Sequence, residues 1–313
     1  GNAVVDTNTL WYWYNPQLML ADGDGTPHPN PAYLTNVSAE EVDGKTVVTY
    51  DLNPDAVFND GTAFDWHVFE NTWKMSNGEN PDVSINATDG YDLIESVTAG
   101  ESDKQVVVTF KQPYPWWQAL FSVPLHPAVA DAQTFNEGYL KNPHPEWGSG
   151  PYKVDQFDYN SGTVSFVPNE KWWGEKPKLD KVTYRQMESQ ATINAYQAGE
   201  VDAVEITNKD HLAVAKTVKD TTLRGTLRPS NYLVTLNAKT PTLEDVKVRE
   251  AVFTGINRET LAQVRFNGMD YTENLPGSFA LFQNQKGYQD NFGGLVTYDQ
   301  DKAKQLLDEA GWA

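Results

Sequence analysis

The sequence turns on residues 148–187, GSGPYKVDQFDYNSGTVSFVPNEKWWGEKPKLDKVTYRQM. SGPYKVDQFD and TVSFVPN read as the two arms of a hairpin, and DKVTYRQM (180–187) reads as a further strand. Between them lies a turn rich in Gly, Lys and Pro that carries two adjacent tryptophans, Trp172 and Trp173. An exposed tryptophan pair stacks on sugars, peptides or bases; a buried one fills a corner of a core. A pair placed directly before Gly-Glu-Lys-Pro and between two strands is positioned to cap the end of a sheet core, so the packing role is expected. Just beyond, QATINAYQAGEVDAVEI (190–206) reads as helix, glycine stop and strand, a β-α-β unit of an α/β sheet.

Toward the N-terminus the chain reads mostly as strands and turns. LWYWYNPQLML (10–20) is an aromatic run broken at Asn15-Pro16, and ADGDGTPHPNP (21–31) is a turn cluster. KTVVTYDL (45–52) and KQVVVTF (104–110) alternate as strands do. Asn59-Asp60-Gly61 marks a tight turn with an Asx bond. After it, Phe64, Val68, Phe69 and Trp73 fall at helical spacing, with Thr62 and Asp65 as candidate N-caps. YPWWQALFSVPL (114–125) reads as a short apolar helix between prolines, with Trp116 and Trp117 in the core. Toward the C-terminus, NYLVTLNA (231–238) reads as a strand and DVKVREAVFTGINRETLAQVRF (245–266) as an amphipathic helix broken near Gly255. DQDKAKQLLDEAGW (299–312) reads as a helix with Asp299 at its start and Gly311 just past its end.

Composition narrows the chemistry. The 313 residues suggest two domains and part of a third. The formal net charge of -19 argues against nucleic acid, whose phosphates need clustered Lys and Arg, and against docking on anionic lipid. With no cysteine there are no disulfides, thiolate metal sites or thiol nucleophiles. The five histidines, His28, His67, His126, His144 and His211, show no metal-ligand spacing, so no metal is expected. DGDGTP (22–27) lacks an acidic residue at the twelfth position of a calcium loop, where Tyr33 falls. There is no GxSxG elbow and no phosphate-binding glycine loop. No catalytic residue stands out, no cofactor is expected, and elimination favours binding over catalysis. No window approaches the roughly 18 apolar residues of a membrane span. The chain opens GNAVVDTNTL, with neither Met nor a basic leader, and is expected to be processed or trimmed.

Five stretches, taken in order, resemble the family 5 extracellular solute-binding proteins, the peptide-, dipeptide- and nickel-binding components of ABC importers. DLNPDAVFNDGTAFDWHVFENTWKM, from Asp51, resembles the family's strand, F-x-D-G-T turn and helix. The segment from Gly148 resembles its G-x-G-P-Y element and N-x-x-Y-W turn, with Trp173 at the family's Trp. AYQAGEVDAVE, from Ala195, resembles a G-E-x-D strand entry. NYLVTLNAKTPTLEDVKVREAVFTGINRETL, from Asn231, resembles the D-V-R-V-R-x-A helix and the strand before it, and KAKQLLDEAGW a later helix.

The resemblance implies an α/β fold of the periplasmic-binding-protein type II class with an extra lobe, several sheets and mixed pairing. It implies lobe I at 1–24 and 148–228, a smaller lobe II at 25–147, and the beginning of lobe III at 229–313, left incomplete. It implies an extracellular protein, lipid-anchored or periplasmic, that holds an oligopeptide in an interlobe cleft and passes it to a membrane permease. Val4, Val5 and Asp6 resemble the segment that pairs with a peptide backbone by strand addition. Tyr232 falls on the strand that lines the family's cleft. Arg249 is a candidate for a substrate carboxylate, set against a structural ion pair with Glu244 or Asp245, which is the expected role. Family members are longer, so a fragment or a shortened relative is expected. Fold does not fix the ligand. Oligosaccharide or a nickel chelate stays open within the same fold, and a glycoside hydrolase with an unrecognised carboxylate pair outside it.

Overall fold

The alternation in KTVVTYDL places Val48, Tyr50 and Leu52 on one face, each no more than 3% exposed, and makes β4 (Lys45–Leu52) a central strand. In this computed structural model, which describes residues 9–225, 231–269 and 275–312, a hairpin β1 (Met19–Ala21) and β2 (Pro27–Pro29) precedes a four-stranded sheet. Its strands are β3 (Leu34–Val42), β4, β5 (Ile94–Ala99) and β6 (Gln105–Phe110), in the order β3-β4-β6-β5. Asp43 and Gly44, at φ of 50° and 75°, turn β3 into β4 with the left-handed backbone that suits the strand twist.

Helix α1 (Trp66–Ser76) covers this sheet with Val68, Phe69, Thr72 and Met75. Asp65 caps it by accepting from the His67 backbone N–H at 3.0 Å; Thr62 does not serve. The core they close holds Phe58, Phe64, Phe69, Phe110 and Phe121. Lys104 projects its ammonium onto the carbonyls of Ala56 and Phe64, at 3.1 and 3.0 Å, tying the loop before α1 to the sheet.

Residues 148–187 form β7 (Tyr152–Asp158), β8 (Thr163–Pro168) and β9 (Val182–Arg185), an antiparallel sheet around Tyr14, Tyr152, Val154, Val164 and Phe166. The tryptophans pack, as the turn suggested. Both lie against the core of the four-stranded sheet, and Trp173 sits edge-on to Tyr33 at 5.4 Å and donates from Nε1 to Ala32 O at 2.6 Å. Asn53 also donates to that carbonyl, at 3.0 Å, so removing the indole N–H leaves it partnered. Trp173→Phe is therefore expected to cost about 1 kcal/mol in urea denaturation. It should leave any ligand affinity unchanged; a lost affinity at unchanged stability would return Trp173 to the ligand.

The chain divides into two compact units, one comprising 1–22 and 27–186, the other 23–26 and 187–313. The second is helical. It contains α3 (Ser189–Gln197), α4 (Lys209–Ala215), α5 (Pro241–Glu244), α6 (Val246–Gly255), α7 (Arg258–Phe266) and α8 (Gln300–Glu309), with short α2 (Ala132–Glu137) belonging to the first unit. α6 and α8 pack together through Val248, Ala251, Thr254 and Ala303. Asp299 caps α8 with its side chain and donates its backbone N–H to Thr254 O at 2.9 Å.

Three expectations need correction. Residues 201–206 and 231–238 are not strands, and the β-α-β unit does not form: a strand is defined by a hydrogen-bonding neighbour, and the described residues supply none. Tyr232, Leu233 and Val234 accordingly stand exposed. Residues 114–125 hold only a 3-10 turn, Trp117–Ala119, because Leu120 is extended and Phe121 takes a φ of 54° to turn its ring inward. Trp117 packs on the core, while Trp116 is 58% exposed.

Candidate ligand-binding site

Tyr232 belongs to the second unit and is 78% exposed. Its position is fixed by Arg265, in the last turn of α7, where a cation also suits the helix C-terminus. The Arg265 guanidinium donates from Nη2 to Tyr232 Oη at 3.1 Å and from Nη1 to Thr207 O at 2.9 Å. It lies over two rings, 5.6 Å from the centre of Tyr232 and 5.4 Å from that of Phe266. No carboxylate among the described residues pairs with it. Because Tyr232 Oη accepts from Arg265, its own O–H is left to donate outward. The pair thus offers an aromatic face, a hydroxyl donor and a cation side by side, a set suited to a peptide carbonyl, a carboxylate or an apolar side chain.

Val4, Val5 and Asp6 lie outside the described residues. Arg249 has a structural role, but not with the carboxylates expected. It donates to the carbonyls of Leu243 and Glu244, at 2.6 and 2.9 Å, which end the short α5 and lack partners along the helix. The Asp60 turn is as expected: Asp60 Oδ1 accepts from Thr62 N at 2.8 Å, and Gly61 has a φ of 94°. Burial works to raise the Asp60 carboxyl, but the hydrogen bonds from Thr62 and the nearby His126 outweigh it and hold it below the ordinary carboxylate range.

Sequence reasoning missed Arg265, whose partners are a backbone carbonyl and a phenol far along the chain. It also missed a cluster in the first unit that joins Asp60, His126, His144, Glu146 and Trp147, which scattered histidines do not announce. Among the described residues no group of three or more His, Cys, Asp or Glu is disposed to hold a metal ion, and no helix is long and apolar enough to cross a membrane.

Residues 27–313 match the family described as bacterial extracellular solute-binding proteins, family 5 Middle. The oligopeptide-binding protein OppA of Mycobacterium tuberculosis is 33% identical over 302 residues, which cover 95% of this chain and 50% of OppA. The solved structure of the periplasmic EDTA-binding protein EppA has a TM-score of 0.80 at 32% identity and covers 98% of this chain and 59% of that one. The oligopeptide-binding protein AppA of Bacillus subtilis, solved with a nonapeptide, has a TM-score of 0.78 at 20% identity, covering 99% of this chain and 60% of AppA, and attests the fold alone. The chain thus spans about half the length of the curated relatives it matches. With antiparallel sheets, capped helices and a family match running from residue 27 to the last residue, this chain belongs to the family 5 bacterial extracellular solute-binding proteins.

Proposed function

We propose that the protein captures oligopeptides outside the cell as the binding component of an ABC importer, and that it carries out no covalent step. The observation that carries this reading is the 33% identity to an oligopeptide-binding protein along 95% of the chain. The ligand contacts in this reading are the backbone of Val4, Val5 and Asp6, added as a strand to an extended peptide, and Tyr232, held by Arg265. The lobes run 1–24 with 148–228, 25–147, and from 229 onward. The partner is a membrane permease, and the protein resides in the periplasm or on a lipid anchor at the cell surface. A metal chelate is the second reading, because EppA, at 32% identity, is named for EDTA.

Thermal melts of the chain with di- to octapeptides, oligosaccharides, and EDTA with and without nickel test both readings. A ligand at 100 times its Kd adds about 2.7 kcal/mol to stability. Peptides are expected to raise the midpoint, and Tyr232→Ala is expected to remove most of that rise while leaving the ligand-free midpoint unchanged. A rise with the chelate and none with peptides would replace the first reading with the second.

A further inference from the structure

In the first unit two histidine rings lie nearly parallel to one indole. The His144 ring centre is 3.4 Å from that of Trp147 with the planes 1° apart, and the His126 ring is 5.6 Å away at 11°. Their hydrogen-bond partners differ. His144 Nε2 is 3.1 Å from Gly138 O, which only accepts, and Nδ1 is 2.8 Å from a Glu146 carboxylate oxygen. Asn142 Nδ2 also approaches Nδ1, at 3.5 Å. Burial works to raise the Glu146 carboxyl, but the bond from His144 and its own backbone N–H outweigh it and hold it below the ordinary range.

His126 is 4% exposed, and its Nδ1 accepts the Ala128 backbone N–H at 3.0 Å. An accepting Nδ1 carries no proton, so His126 is neutral with its hydrogen on Nε2. That nitrogen lies at ion-pair distance from Asp60, 3.2 Å, without hydrogen-bond alignment. Burial pushes the imidazole down from its ordinary value against the pull of Asp60 and Glu146, and the neighbouring His144 pushes the same way. Tyr139, edge-on to both His144 and Trp147, and Tyr14, which donates to His144 O, have phenols pushed up by burial and stay neutral. Glu137 lines the same groove as His144 and Trp147.

A proton on His126 has a defined mechanical result. Protonating His126 Nδ1 turns its acceptor into a donor facing the Ala128 donor, so that bond breaks. The turn it disrupts presents His126 O and Val129 O to Asn71 of α1, at 3.4 and 3.1 Å. On the other side, the Asp60 turn grips the strip before β7 by donating Asn59 N to Gly148 O at 2.8 Å and Asp60 N to Glu146 O at 3.0 Å. We propose that Asp60, His126, Trp147, His144 and Glu146 form a proton-operated latch, in which one proton taken up at His126 releases the 126–129 turn and loosens residues 144–150.

The direction follows from linkage. His126 titrates lower in the folded protein than its ordinary value of about 6.5, so its contribution is complete above that pH and is lost as pH falls below it. Glu146 is also depressed, so its contribution is complete above the ordinary carboxylate range and is lost as pH falls through that range.

Hydrogen–deuterium exchange mass spectrometry on the full chain, corrected for intrinsic exchange, tests the latch. Between pH 7.5 and 5, protection of residues 126–150 is expected to fall at least tenfold more than that of β4 and β6. His126→Asn places an amide oxygen where Nδ1 was, keeps the Ala128 bond without titrating, and should abolish the extra loss. Flat protection in the wild type, or the same loss in His126→Asn, overturns the proposal. Should the variant not fold, histidine C2 exchange on the wild type gives the titration of His126 directly. Its titration must coincide with the loss of protection, and titration without that loss overturns the latch.

Discussion

Gly150→Ala is expected to destabilise the first unit by about 3 kcal/mol or more, the range of overpacking with no room to relax. A Cβ at position 150 would lie 2.0 Å from Trp13 O and 2.7 Å from the carbonyl carbon behind it. Neither atom is the end of a flexible side chain. Trp13 O accepts from Tyr152 N at 3.3 Å, and the next carbonyl, Tyr14 O, accepts from both Ser149 N and Gly150 N. Retreat would break the bonds that fasten the N-terminal aromatic turn to β7. Gly44 supplies the control. It has a φ of 75° and open space around the missing side chain, so Gly44→Ala should cost only the left-handed backbone term, about 1–2 kcal/mol. Urea denaturation followed by circular dichroism measures both, and equal midpoints for the two variants would show that the approach at Gly150 relaxes.

Phe69→Ala should cost about 3–5 kcal/mol, the range for removing a buried aromatic ring. Phe69 is fully buried on α1 and meets Phe121 at 5.1 Å, Tyr50 at 5.2 Å and Phe64 at 6.4 Å. It therefore joins helix, sheet and the 114–125 connection in one cluster. Those neighbours come from three separate elements, so they cannot collapse together into the space. The thermal midpoint should fall well below that of Phe69→Leu, which keeps most of the volume. A small loss for Phe69→Ala would mean that the cluster repacks.

What could be read from sequence was local. The alternation in β4 and β6, the Asp65 and Asp299 caps and the helix break near Gly255 each depend on neighbours a few residues away, and each is present. Segments 201–206 and 231–238 have the composition of strands, yet pairing needs a second segment that composition cannot supply. Arg249 looked for carboxylates and found carbonyls, because a helix end offers acceptors that no side-chain letter records. Arg265 bonds to a carbonyl 58 residues away. In sequence Asp60 marks a turn and His126 is one of five histidines without metal-ligand spacing, and only the fold brings the two to 3.2 Å. The family resemblance singles out Tyr232 but carries no signal for the guanidinium that bonds to it.

The outer edge of the four-stranded sheet has a colloidal consequence. β3 is an edge strand, and past its midpoint it is exposed on both faces, with Glu40 and Glu41 near its end. The opposite edge, β5, carries Glu95, which is bound by Lys45. An approaching strand would have to bury carboxylates along either rim in a molecule already at -19. The sheet thus ends where its own strands end, and many copies can crowd together without one extending the ladder of another.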